Sequence, residues 1–347
     1  MQFFLGLVVI TFAITIVLIV PFVGYLYRMK FVRREEKTEI RKYSTPELAQ
    51  IRARHDQKAG TPTGLGILLI VVTALIFVIA LPFLAGREGA GRLISGHPIE
   101  WEVAVLLFSF LGFGLIGLYD DVLKIFGFAR TGFFGLRRWQ KFGLQWLVAI
   151  ISGGMLAWGL DIGFINVPLV GIIRLGWVYV PAAAFLIVMF ANAFDITSGL
   201  DGLGEGLLMI CLLAFWLIAA TQLDGVLSLF IAAWIGALLA GIYFTIYPAR
   251  AFLGNASGMA FGATLAVVGL LSGKVMAFLV IGGIFLVDGG SSLIQILSKT
   301  LLHRRVFPIA PIHHILELRG WEEPKIVARA WLVGLVAAIF GVWLALL

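Results

Sequence analysis

Asp120 and Asp121 stand side by side at the end of an apolar run, in the string GLYDDVLK, with Lys124 three to four residues further on. Adjacent carboxylates repel unless a cation is shared between them, and on a continuing helix Lys124 comes round one turn later to supply one. A solvated helix end with an ordinary ion pair is the plainer reading of the same residues. A second acidic string, NAFDITSGLDGLGEG over 192–206, spaces Asn192, Asp195, Ser198 and Asp201 every three residues, which on a helix draws a slowly drifting polar stripe. Its glycines at 199, 202, 204 and 206 let the backbone break or approach a ligand closely. No Lys or Arg falls between 195 and 205, so a cation from solution would fill the gap.

Three further strings carry groups suited to phosphate. KAGTPTGLG, over 58–66, places Lys58, Thr61, Thr63 and three glycines just ahead of an apolar run. YPARAFLGNASGMAFG, over 247–262, sets Gly254-Asn255-Ala256-Ser257-Gly258 at the start of another, where the N–H groups of a helix N-terminus can cradle an anion. An ordinary capped helix with small-residue packing explains that string equally well. PIAPIHHILELRGWEEPK, over 308–325, contains His313 and His314. Consecutive histidines point to different helix faces, so hydrogen bonding to a phosphate or amide suits them better than a zinc site.

The elements that must position these residues are membrane helices. The 347-residue chain is 61% hydrophobic and 13% charged, with a mean hydropathy of +1.03, far more apolar than a domain with a wet surface. Crossing ~30 Å of hydrocarbon at ~1.5 Å per residue takes about twenty apolar residues. Ten runs approach or meet that length: 3–27, 61–85, 102–119, 142–160, 175–194, 206–222, 226–246, 258–273, 275–298 and 330–347. The expected fold class is an all-α polytopic membrane bundle, one domain over 1–347, with a small hairpin at 164–174 and a short surface helix from Ser44 to about His55. Of the 26 basic residues, 22 fall in alternate loops that include 28–60, 120–141 and 299–329, which makes those loops cytoplasmic and puts both termini outside. All five strings then lie on the cytoplasmic face. That bias accounts for most of the net charge of +7, so anionic lipids and phosphorylated substrates, not nucleic acid, are the expected partners. Cys211 is the single cysteine, which excludes an intrachain disulfide. Asp288 is the one ionisable residue placed deep within a run, with a polar contact to Ser291 or Gln295 as its default role, and a transporter usually needs more.

In this order and on one membrane face, the five strings resemble the polyprenyl-phosphate N-acetylhexosamine-1-phosphate transferases, a glycosyltransferase family 4-like group. The resemblance covers nearly the whole chain. Its most specific piece, APIHHILELRGWEEPKIVARAW over 310–331, is similar to the branch that acts on the muramoyl-pentapeptide nucleotide. The resemblance implies a multi-pass enzyme of the bacterial inner membrane that moves a phospho-sugar from a UDP carrier to undecaprenyl phosphate, forming a lipid-linked peptidoglycan precursor and UMP. It implies Mg²⁺, with Mn²⁺ as a substitute, and allows a homodimer. By the same resemblance Asp120 deprotonates the lipid phosphate with Asp121 as its essential neighbour, and Asp201 completes the catalytic set. Lys58, Thr61, Thr63, Lys124, Lys141, Asn192, Phe252, His313 and His314 bind substrate, and Asp121, Asp195, Asp201 and Asn255 hold the metal.

The chain departs from the family pattern at several polar positions. Where the family reads N-L-T-D-G-L-D-G this chain has Asp195-Ile196-Thr197-Ser198-Gly199-Leu200-Asp201-Gly202, and where it reads G-D-x-G-S this chain has Asn255 in place of the acid. Thr245 and Ile315 stand where an asparagine and a third histidine are usual. An amide oxygen can bind Mg²⁺ but brings no charge, a loss that Asp195 offsets if it faces the same site. Two alternatives stay open: a transferase for another UDP-sugar such as UDP-N-acetylglucosamine, and a catalytically silent relative that binds lipid or scaffolds other membrane proteins.

Overall fold

The computed structural model describes residues 2–33, 58–87, 97–126, 136, 138–168 and 170–347. The surface helix expected from Ser44 to His55 lies outside them. Twelve helices and one hairpin are seen among these residues: α1 Gln2–Arg28, α2 Leu65–Arg87, α3 Ile99–Phe126, α4 Arg138–Gly154, β1 Phe164–Val167, β2 Gly171–Arg174, α5 Tyr179–Thr197, α6 Leu203–Thr221, α7 Gly225–Thr245, α8 Asn255–Leu271, α9 Val275–Ile281, α10 Gly283–Leu301, α11 Ile312–Leu318 and α12 Glu323–Leu346. This is the all-α polytopic bundle expected. The hairpin also forms where expected, β1 pairing antiparallel with β2 from Phe164–Arg174 to Val167–Gly171.

All ten apolar runs are helical, but they are not ten straight spans. Eight of the described helices are long and apolar enough to cross a membrane, and nine if α9 and α10 count as one. Those two meet at a 75° bend. The bend sits at Gly282, where a Cβ would lie 2.5 Å from the Phe190 ring, so only glycine lets α5 pack this closely. The 17-residue α8 spans about 25 Å, short of the hydrocarbon thickness. It is buried along its length, because α3 and α5 close around it and α7 adds Trp234 to an aromatic core with Phe110 and Phe261. Small residues permit this: a Cβ at Gly117 of α3 would fall 2.2 Å from Asn255 O, and one at Gly262 of α8 would fall 2.2 Å from Phe190 O. The N-terminus of α8 is thereby wedged between the ends of α3 and α5, the two helices that carry the acidic strings.

Candidate functional site

Asp120 and Asp121 occupy the last turns of α3 and are both buried. Asp121 takes the capping role on α8, its Oδ2 accepting the N–H of Ala256 at 3.1 Å, so a carboxylate meets the positive end of that helix. Gly254 precedes it with φ +82°, and a Cβ there would stand 2.9 Å from the same oxygen. Asp120 Oδ2 accepts from Asn255 Nδ2 at 2.9 Å and meets Lys124 Nζ at 2.7 Å, while Oδ1 accepts from the Leu136 N–H at 3.0 Å. Lys141, from the first turn of α4, lies 3.7 Å from Asp120 and 3.4 Å from Asp195 near the end of α5. Asp195 in turn reaches α8, since a Cβ on Gly258 would fall 2.5 Å from its Oδ1. Three carboxyl groups and two ammonium groups thus converge on one helix N-terminus.

A second group forms around Lys58. Its Nζ lies 2.6 Å from Asp201 and 2.7 Å from Glu323, at the start of α12. Glu323 also accepts the backbone N–H of Asp201, and Asp201 Oδ2 accepts the N–H of Ala249 at 3.0 Å. Asp201 therefore stands with Lys58 and Glu323, both of its oxygens engaged. The strings around 58–66 and 247–258 run side by side: Phe252 donates its N–H to Pro62 O, and Phe252 O accepts from Gly64 and Leu65. Thr63 and Phe252 form a parallel bridge, Thr61 O accepts from the Arg33 N–H, and the Arg33 guanidinium sits 5.4 Å from the centre of the Phe252 ring. Glu323 was not among the residues singled out from sequence, although the string over 310–331 contains it.

The histidines take separate partners. His313 Nδ1 lies 2.8 Å from Asp288 Oδ2 and the His313 N–H donates to Asp288 Oδ1, whereas His314 pairs with Glu317. The carboxylate of Asp288 is thus held by His313; of the two partners expected from sequence, Ser291 touches only its backbone carbonyl and Gln295 bonds the backbone at 306–307 instead. Asn192 donates to Gln145 Oε1 at 2.9 Å and borders an apolar groove of about 640 Å³ between α4, α5 and α10, walled by Trp139, Ala193, Leu293 and Ile296. Lys141 lies on the same groove, so an apolar channel runs up to the cluster of charges. The phosphate-suited strings and the acidic strings therefore assemble at the ends of α3 and α5 and the starts of α8 and α12.

Among the described residues no three carboxylate, imidazole or thiol groups lie close enough to hold an ion unaided. Mg²⁺ usually keeps several waters and binds through one or two carboxylates plus substrate phosphates. Hard oxygen donors on Asp121, Asp195 and Asn255 fit that mode of binding.

The profile of glycosyl transferase family 4 matches residues 103–273. The chain is 33% identical over 347 residues to the phospho-N-acetylmuramoyl-pentapeptide-transferase of Oceanobacillus iheyensis, covering 97% of this chain and 96% of that one. It is 37% identical over 298 residues to the enzyme of the same name from Limosilactobacillus reuteri, 84% of this chain and 86% of the other, and 33% identical over 344 residues to that of Shouchella clausii, 98% and 97%. With such likeness along almost its full length, the chain belongs to the phospho-N-acetylmuramoyl-pentapeptide-transferase family.

Proposed function

We propose that the chain transfers phospho-N-acetylmuramoyl-pentapeptide from its UDP carrier to undecaprenyl phosphate, at the cytoplasmic face of the bacterial inner membrane and with both termini outside. The observation that carries this reading is the apolar groove that ends on Lys141 beside Asp120, a place for a lipid tail next to groups for its phosphate. Asp120, held by Asn255 and Leu136, takes the proton of the lipid phosphate, whose oxygen then bonds to the sugar-bearing phosphorus as the bond to UMP breaks. Lys124 and Lys141 offset the charge of the approaching anions. Lys58, fixed between Asp201 and Glu323, is placed to meet the nucleotide phosphates. Asp121, Asp195 and Asn255 would hold Mg²⁺, which would supply further neutralisation of the pyrophosphate when bound.

The test is UMP release with undecaprenyl phosphate and the muramoyl-pentapeptide nucleotide, with Mg²⁺ or Mn²⁺. Asp120→Asn keeps a hydrogen-bonding side chain but no base, and a loss of 10²-fold or more is expected. A panel of UDP-sugars separates this reading from a transferase of other specificity, and no release with any of them overturns both.

A further inference from the structure

The helix α10 is inside out. Its buried polar residues Asp288, Ser291, Gln295 and Ser298 recur at spacings of three, four and three, one stripe of a helix, while Leu293, Ile294, Ile296, Leu297 and Leu301 are exposed. The polar stripe meets the chain returning from α10 to α11. Ser298 Oγ donates to Arg304 O at 2.7 Å. Gln295 accepts from the N–H groups of Val306 and Phe307 and donates to Phe307 O at 2.8 Å, while Ser291 Oγ accepts the N–H of Ile312 and Asp288 takes that of His313. The returning segment is thus fastened along the helix from 304 to 313. The result is a two-layered arm that leaves the bundle at the 75° bend and shows hydrocarbon-seeking side chains outward.

At the tip of the arm the composition changes. Lys299, Arg304 and Arg305 are all exposed, beside the exposed Leu301, Leu302 and Val306. From residue 299 to 316 the sequence has no Asp or Glu, and among the described residues none of the three cations is ion-paired. His303, with φ +51°, turns the chain so that Arg304 and Arg305 follow directly on the apolar end of the helix. Apolar residues flanked by cations on a fixed backbone suit the boundary between acyl chains and phosphate headgroups. The face of α10 that walls the groove, through Leu293 and Ile296, continues at the next three-residue step to Lys299.

We propose that the tip formed by Lys299, Arg304 and Arg305 is a docking surface for the anionic phospholipids of the membrane, and that their headgroup phosphates hold the arm at the depth that keeps the groove open. Attraction of three cations to such a surface amounts to about tenfold or more in local binding, and it weakens with salt. The lipid contact stands independently of the reaction assigned above; its effect on the lipid acceptor rests on that reading.

The experiment places the full chain in nanodiscs of phosphatidylcholine, with and without one part in three of phosphatidylglycerol. Hydrogen exchange of the 304–313 amides reads the arm directly, and the KM for undecaprenyl phosphate reads the groove. Phosphatidylglycerol is expected to slow exchange in this segment and to lower the acceptor KM on the order of tenfold, with the nucleotide KM unmoved and high salt removing both effects. The K299Q/R304Q/R305Q variant is expected to lose both responses, and K299R/R304K/R305K to keep them. Equal exchange in the two discs for the wild-type chain overturns the proposal. So does a KM defect in the neutralised variant that is the same in both discs, because the tip then acts on the acceptor's own phosphate. If no UMP is released at all, the reaction assignment fails while the exchange measurement still decides the lipid contact.

Discussion

Lys58 is held between two carboxylates, and only one of them, Asp201, is marked by its own surroundings in sequence. Glu323 reaches Lys58 across a separation of 265 residues and also takes the N–H of Asp201, so a single side chain ties α12 to both the Lys58 string and the turn after α5. Replacing it by glutamine keeps the shape and removes the charge. Hydrogen bonds to charged groups contribute about 1.5–3 kcal/mol, so Glu323→Gln is expected to lower the thermal midpoint by a few degrees and to slow UMP release by about tenfold or more. Retention of full activity would show that Lys58 is placed by Asp201 alone. The contrast with Asp120 explains what a sequence discloses. Asp120 and Lys124 are one helical turn apart and pair as their spacing suggests, at 2.7 Å. The links of Glu323 to Lys58 and of Asp288 to His313 depend on how distant segments return to each other, which local spacing does not encode.

At the scale of elements, α8 organises the acids, and the close approach of its neighbours is what brings them there. A methyl group at Gly262 would meet the backbone oxygen of Phe190, which cannot swing away as a side chain can. Gly262→Ala is therefore expected to cost about 1–3 kcal/mol or more and to move Asp195 off the first turn of α8, seen as a lower thermal midpoint with reduced turnover. Gly283→Ala, where nothing lies within 4 Å, is the matched control and should change neither. At the opposite end of the bundle, Asp224 caps α7 by accepting the Leu227 N–H, and burial holds its carboxyl above the usual value of 3.8 despite that bond and the neighbouring Glu102 and His97. A raised native value means that the folded chain takes up the proton first as pH falls. Stability from this group therefore rises on acidification from neutral and levels off near 3.8, where the unfolded chain is protonated too. Asp224→Asn keeps the cap and removes the charge, so its thermal midpoint should exceed that of the wild type at pH 8, with the gap closing toward pH 4. Hydropathy located the long helices, since burial in lipid needs only an apolar run, but not the seven-residue α11. It gave no sign of the bend at Gly282, because α9 and α10 are continuous in composition and the close approach of the Phe190 ring there is a contact between distant segments.

For the whole molecule, sidedness decides whether the charged cluster can meet a water-soluble nucleotide. The structure divides the chain into two faces. Asn166 and Val170 of the hairpin segment, Lys274 and the C-terminal Leu347 line one cavity of about 360 Å³, so the hairpin and the C-terminus share a face. The ends of α3 and α5, the start of α8 and the fastened segment before α11 lie at the other ends of their helices. The second face carries the loops that hold 22 of the 26 basic residues, and in the orientation proposed above it is the cytoplasmic one. Cys211 is buried, so the natural chain gives little background for thiol labelling. Single cysteines can therefore be read directly with a membrane-impermeant maleimide on spheroplasts. Val170→Cys and Leu347→Cys, both at exposed positions, are expected to label in intact spheroplasts, and Arg319→Cys, exposed just before α12, only after lysis. The reverse pattern would put Asp120 and Lys58 on the outer face, away from cytoplasmic nucleotides, and would remove the proposed reaction together with the topology.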